Sequence, residues 1–485
     1  MSQVTLARRT LGSGSLWVFA VGASSPLTVL VGGIVSTYAL TGVVGVPLAF
    51  AVIMVVLGLL AVGYVAMARH VAHSAPFYAQ LAQAVNPTIG VGGAAVALLG
   101  YNAIQISLYG LVGVTLTGLF GGGAWWMWAG LVWIVVALLG RLRGVANAKI
   151  LGTLLAVELG VIVLFDLAGF AHPADGTVSL MPLQPSSLVV GGLSGALAFS
   201  MAAFVGVEAP PAFGEEARTG REVGRATYVG IIFLGLFYLA TAWAYATAVG
   251  PNQVVDAARD PAQGPFAVLD AVYGPGITTL ATMLLVTSII AAMLAFHSTV
   301  ARYVFALARE GVLPAGLAKV TSGVTGGAPL GGSLVQSATA AVVVGAFVLL
   351  GADPMMVMFT WLSTIGAVCV LVLLVSSSLA ALAFFAAGRG AGESVLVRRV
   401  FPTLGGVTGA LTVVFMISNL GSLLGTPPGS LLPWLVPILM IATAAAGLAW
   451  GRYLRTAKPE AYAQAGKGTP NALTVQDQRL AALEV

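Results

Sequence analysis

Twelve apolar stretches, each long enough to cross a bilayer as a helix, leave this 485-residue chain almost no other way to fold. They run over roughly 14–40, 43–68, 89–120, 124–140, 146–170, 187–211, 224–250, 274–305, 330–351, 354–387, 400–424 and 430–451. A spanning helix needs about 20 apolar residues, and a helix satisfies its own backbone inside lipid. Charged residues make up only 8% of the chain, against about 25% in a soluble domain, so it cannot clothe itself in a water-compatible surface. The fold class expected is an all-α polytopic membrane protein. A polar start at 1–13 leads into one helical body at 14–455, and a polar tail at 456–485 is expected to be disordered.

Lysine and arginine then set an orientation. With residue 1 on the cytoplasmic side, every Lys and Arg except Arg259 falls on that side, as the positive-inside rule asks. Both termini are therefore expected in the cytoplasm. The net charge of +5 does not point to nucleic acid, because the basic residues sit in short loops. Cys369, the single cysteine, lies in an apolar run, which excludes a disulfide within the chain and argues for packing over metal binding. The apolar run after residues 1–10 has no signal-peptide cleavage pattern and is read as retained. Residues 73–85 are weakly amphipathic and expected at the inner face, and 251–273 are expected to form short helices over an outer vestibule.

Two spans carry interruptions. In the first, Val21-Gly22-Ala23-Ser24-Ser25-Pro26 places small and hydroxyl residues before a proline that removes a donor and can start a new half-helix. In the sixth, Ala203 to Pro211 combines Gly206 with Pro210 and Pro211. Unpaired backbone at membrane depth is tolerated only where it is buried or lines a cavity, so each break marks a candidate binding site. Breaks at corresponding places suggest a 5+5 inverted repeat, helices 1–5 over 14–170 and helices 6–10 over 187–387, followed by helices 11–12 over 400–451; two ordinary proline kinks are the other reading.

The residues around these breaks resemble the amino acid–polyamine–organocation (APC) family of permeases, which share the LeuT-like fold. Phe204-Val205-Gly206-Val207-Glu208, then Gly214-Glu215-Glu216-Ala217-Arg218, is similar to the family's sixth-helix pattern, with Val207 where an aromatic is usual. Residues 301–314, from Ala301-Arg302-Tyr303 to Leu313-Pro314, resemble the cytoplasmic end of its eighth helix, and 76–81 its first inner loop. The opening break, Ala-Ser-Ser-Pro-Leu-Thr, departs from the commoner glycine-rich form and is similar to a bacterial branch of amino acid permeases.

The resemblance implies roles. A substrate carboxylate would meet Gly22, Ala23, Ser24 and Ser25, with Thr28 assisting, at the positive start of a half-helix. A substrate ammonium would meet carbonyls freed around Phe204, Val205 and Gly206, with Phe204 as a gating aromatic. Glu208 and Arg302 are expected to be structural. Intramembrane ionisable residues are functional candidates by default. Glu158, mid-way along the fifth span, is read as a proton carrier, with a partner for sodium or a cationic substrate and a neutral structural acid as the other readings. His297 is read as joining a proton path with Glu158 or as a satisfied core histidine. Ser298 and Thr299 suit either sodium or the preceding helical turn. Tyr101, Gln105 and Tyr109 recur every four residues beside Asn102, so they share a face that lines a substrate pocket or bonds a neighbouring helix.

The function these readings favour is a secondary active transporter that takes up an amino acid by alternating access with a proton. A polyamine or organic-amine permease, an uncoupled exchanger and a transport-inactive sensor are the alternatives. A channel would show a filter sequence, and a membrane hydrolase a nucleophile–base pair or metal ligands; neither is visible, so no enzyme is expected. No cofactor and no metal site are expected beyond a coupling proton or sodium. The expected setting is a bacterial cytoplasmic membrane, the chain a monomer or weak homodimer with lipid and a small molecule as its partners.

Overall fold

A computed structural model describes residues 10–142, 144–321, 327–390 and 392–468. Among these residues the regular structure is helical, and a β-type bridge joins Leu11 to Ala217. Ten helices have the length and composition to cross a bilayer, against the twelve expected. At the fourth and sixth positions the apolar helices are shorter, Trp125–Leu139 and Leu193–Ala203. The cause is local. The fourth follows Gly123 and Ala124 and is ended by Gly140, while the sixth stops where Phe204 begins the break.

The third helix, Pro87–Phe120, shows how local chemistry sets length. Asn86 caps it by accepting from the Ile89 N–H at 3.0 Å, Pro87 stands at its first turn, and Gly121 ends it at φ 68°. Its 34 residues span about 51 Å at 1.5 Å each, well beyond a bilayer core of about 30 Å, so it must tilt. It packs on the eighth helix (Pro275–Arg309), the tenth (Thr360–Ala386) and the twelfth (Leu435–Ala457). Small residues let these backbones approach: a Cβ on Gly447 would stand 2.9 Å from the Cα of Gly92. Cys369 is buried and seated on Gly100. Outward-facing residues such as Val342 and Leu349 are apolar and exposed, as lipid requires.

The basic face is locked by buried ion pairs. Arg302 Nε donates to Glu216 at 2.6 Å, and its guanidinium lies 4.1 Å from the Phe213 ring centre. Phe213 stacks on Phe19 of the first helix at 4.2 Å. The Thr10 and Leu11 N–H groups donate to the Glu216 carbonyl, and Leu11 returns its carbonyl to the Arg218 N–H. Ser13 N–H donates to Glu222. Arg309 grips Glu215 with two bonds of 2.7 Å. Burial alone would raise the Glu215 carboxyl, but Arg309, His73 and the Ser74 N–H outweigh it and hold the group at about 2.

Residues 76–84 form a helix at this face, Pro76–Ala84, buried from Pro76 to Ala82. One expectation here needs correction. The tail is ordered past Thr456: the twelfth helix runs to Ala457, Pro459–Gln464 is helical, and Gly466 and Gly468 turn back at φ 76° and 68°. Residues 469–485 lie outside the described residues. The tail holds because Glu310 needs it. Gly466 and Gly468 donate their N–H groups to the two Glu310 oxygens at 2.7 Å, beside Tyr78 at 2.8 Å and His73 Nε2 at 2.7 Å. The sequence shows only a polar composition there; a glycine nest around a distant carboxylate leaves no periodic trace.

Candidate functional site

Both interruptions are real breaks, and they touch. The first helix runs as Ser13–Ser24, turns at Ser25 and restarts at Pro26. Ser25 has φ 47°, the lone non-glycine residue with positive φ among the described residues. The restarted half passes through a π-helical stretch, Val29–Ile34, before Val35–Thr41. In the sixth span the helix ends at Ala203, Gly206 adopts φ 112°, and a 3-10 turn at Pro210–Phe213 follows. A Cβ on Gly206 would stand 2.6 Å from the Ala23 Cβ and 3.0 Å from the Ser24 nitrogen. Ser24 Oγ reaches the Phe204 carbonyl at 3.4 Å and the Ala20 carbonyl at 3.3 Å. Gly22, Ala23, Ser24, Ser25, Phe204, Val205 and Gly206 thus meet in one buried place.

Glu158 enters this place from the fifth helix, Gly144–Ala171. Its Oε1 accepts from the Leu27 N–H at 2.6 Å and from Ser288 Oγ at 2.7 Å. Because Pro26 has no N–H, Leu27 carries the first donor of the restarted half-helix, where the dipole favours an anion. Ser288 gives its proton to Glu158, so Ser25, 2.7 Å from Ser288, must donate to it, and Thr28, 2.7 Å from Ser25, donates in turn. Thr28, Ser25, Ser288 and Glu158 therefore form a directed chain. The Tyr238 phenol lies within electrostatic range, and among the described residues both donors to the carboxylate, Leu27 and Ser288, are neutral.

Glu208 ties the second break. Its Oε2 accepts from the Gly206 N–H at 2.8 Å, and its carbonyl accepts from Tyr64 at 3.1 Å. The Tyr101 phenol lies beside the same carboxyl, which brings the third helix to the break. Phe204 packs its ring on Tyr238 and Phe50, with centres 5.6 and 6.1 Å apart.

Other candidates point elsewhere. Gln105 accepts from Gln336 of the ninth helix at 2.7 Å and donates to Tyr109 at 3.3 Å, so this part of the shared face bonds helices together. Asn102 donates back to Leu98. His297 bonds Ser333 of the ninth helix at 2.8 Å. Nine residues separate it from Ser288, about two and a half turns, so it faces away from Glu158 and the two do not share a path. Thr299 bonds Ala295, one turn back, and the Ser298 carbonyl accepts from Arg302. The sequence reading missed Ser288 and the Leu27 N–H, which only the packing reveals. It also missed Asp166, a carboxylate in an apolar run that the criterion used for Glu158 would have found.

Comparison with known proteins places this geometry. The profile of a family described as amino acid permease matches residues 14–446. An L-lysine transport protein from Corynebacterium glutamicum is 22% identical over 236 residues, 47% of this chain and 46% of that protein, so the match spans about half the length of this curated relative. Crystal structures of variants of a manganese transporter from Eremococcus coleocola superpose at a TM-score of 0.58 with 16% identity, over 94% of this chain and 99% of theirs. That likeness is one of fold. Among the described residues no group of three His, Cys, Asp or Glu side chains could hold a metal ion.

Proposed function

Because this chain belongs to the amino acid permease family, we propose that it takes up an amino acid across the bacterial cytoplasmic membrane by alternating access, driven by a proton carried on Glu158. The observation that supports this most is the bond from the Leu27 N–H to Glu158 at the first break. It joins an ionisable group to the backbone that would receive the substrate carboxylate. An ionised Glu158 makes charge-assisted bonds to Leu27 and Ser288; a protonated one holds both more weakly. Protonation thus loosens the restarted half-helix, and substrate at the touching breaks supplies the complementary push. The basic face is read as cytoplasmic, and its ion pairs as the inner closure.

Uptake by proteoliposomes of labelled amino acids and polyamines, under a proton or a sodium gradient, tests the reading. Proton-driven accumulation of an amino acid is expected. Sodium-driven accumulation, or none of any amino acid, overturns it. A second reading, in which Glu158 receives the side chain of a basic amino acid, is favoured by the lysine transport relative. It predicts that lysine is carried and that Glu158→Gln abolishes lysine exchange as well as driven uptake.

A further inference from the structure

Glu158 is not alone on its helix. Asp166 lies eight residues on, about 12 Å along the axis toward the face opposite the basic one. Thr241 of the seventh helix, Gly220–Val249, donates to Asp166 Oδ2 at 3.2 Å. Asp166 Oδ1 is buried and has no hydrogen-bond partner, although the residue as a whole is only half-buried. Three residues before Thr241, and so on the same face, stands Tyr238. Its phenol is fully buried, unpartnered, and within electrostatic range of Glu158. Polar atoms in so apolar a setting are costly unless paired, and here two are left open along a single seam.

The groups facing this seam are few. The first helix presents Ser25, Thr28 and the Leu27 N–H; the eighth presents Ser288; the seventh presents Tyr238 and Thr241. From the helix Pro265–Tyr273, Tyr273 donates to the Leu164 carbonyl and Asp270 accepts from Thr278. His172, on the fifth helix itself, lies against the Ala168 carbonyl. Among the described residues no lysine, arginine or histidine acts on either carboxylate.

We propose that Asp166 is the entry carboxylate of a two-site proton relay that loads Glu158 from the face opposite the basic one. This rests on the proton-coupled reading above. A hydronium ion breaks one O–H bond, gives that proton to Asp166 and leaves as water. Asp166 passes a proton to Thr241 Oγ1; the proton that Thr241 releases crosses to the Tyr238 hydroxyl, and the one that Tyr238 releases crosses to Glu158, each through a water in the open positions beside the unpartnered phenol, while Asp166 returns to carboxylate. Charge and atoms balance with no further reactant. Tyr238 also packs on Phe204, so the last relay group touches the gate at the second break.

Infrared difference spectroscopy on the reconstituted protein tests the relay without any substrate. The protonated-carboxyl band that Glu158→Gln removes should exchange its proton for a deuteron rapidly in the wild type. In Asp166→Asn it should exchange more slowly by roughly a hundredfold or more, the scale of positioned proton transfer. Asp166→Glu should restore the rate. Tyr238→Phe should slow it too, and this variant removes only a hydroxyl without a partner, so it keeps the test open if Asp166→Asn fails to fold. Wild-type exchange rates in both variants overturn the relay, as does the absence of any Glu158 band at any pH. In proteoliposomes the ratio of proton-driven uptake to counterflow should fall in Asp166→Asn, and an equal loss of both marks a merely structural residue and overturns it. If the wild type carries no amino acid, the transport reading fails while the infrared result still decides the relay.

Discussion

Leu27 and Glu158 stand 2.6 Å apart across two helices, a backbone donor held by a side-chain carboxylate. The donor is the first one available after Pro26, so a substrate carboxylate drawn to the same half-helix start finds it already taken. On the proposed function, binding at the break and the charge on Glu158 are linked, because each would act on the same N–H. Glu158→Gln should lower proton-driven uptake far more than it lowers exchange, measured in proteoliposomes. Full driven uptake in that variant would remove Glu158 from the coupling.

Gly206 tests the contact between the breaks. Alanine there would be strained at φ 112° and would collide with Ala23. Gly206→Ala should destabilise the fold on the order of 1–3 kcal/mol and abolish transport, and a smaller residue cannot be placed at position 23 without a glycine. The double variant Ala23→Gly with Gly206→Ala removes the Cβ–Cβ overlap but leaves the new Cβ 2.8 Å from the residue-23 carbonyl carbon and the backbone strain in place, so it should recover stability only in part. Thermal unfolding in detergent gives the comparison.

The pair Arg309–Glu215 predicts an acid limb. The Glu215 carboxyl is held at about 2 against an ordinary 4.5, so it contributes stability that is complete above pH 4.5 and lost as pH falls toward 2. For so buried a group the linkage is worth on the order of 3 kcal/mol. Glu215→Gln should melt lower than wild type at neutral pH, and the gap should close between about pH 4.5 and 2. An unchanged gap across that window would refute the assignment.

The tail carries its own prediction. Ending the chain after Gln464 removes two of the four donors to Glu310, each loss worth on the order of 1–3 kcal/mol. Ending it after Gly468 keeps them. The shorter protein should unfold at a lower temperature than the longer one, and equal values would show that the nest adds nothing.

Much of this architecture was legible because lipid admits so few solutions. Pro26 lacks a backbone donor and Gly206 precedes two prolines, so interruptions of both helices were readable from the residues, while their being full breaks and not kinks was not. Ten of the expected spans end within about six residues of a helix long enough to cross a bilayer, while the sixth, expected at 187–211, is helical only over Leu193–Ala203. Partners were harder to read. Gln105 and Tyr101 share a face in the sequence, yet one joins Gln336 and the other reaches Glu208, because the third helix is long enough to pass several neighbours. His297 looked near Glu158 because both are ionisable and intramembrane, which says nothing about helix rotation. The two short helices also escaped notice: hydropathy runs on across a break or through a flanking glycine cluster, while the hydrogen-bonded helix does not.

Glu310 and the tail also bear on how the chain is made. A carboxylate buried in the first two-thirds of the sequence waits for donors that emerge near its end, at Gly466 and Gly468. The inner loop helix Pro76–Ala84 is tied to the same knot through Tyr78. Helices can enter the bilayer one by one during synthesis, but this face of the bundle can close only once Gly466 and Gly468 have been made. A nascent chain released early would carry an unsatisfied acid where the finished protein carries a latch, giving quality control a local mark by which to tell the two apart.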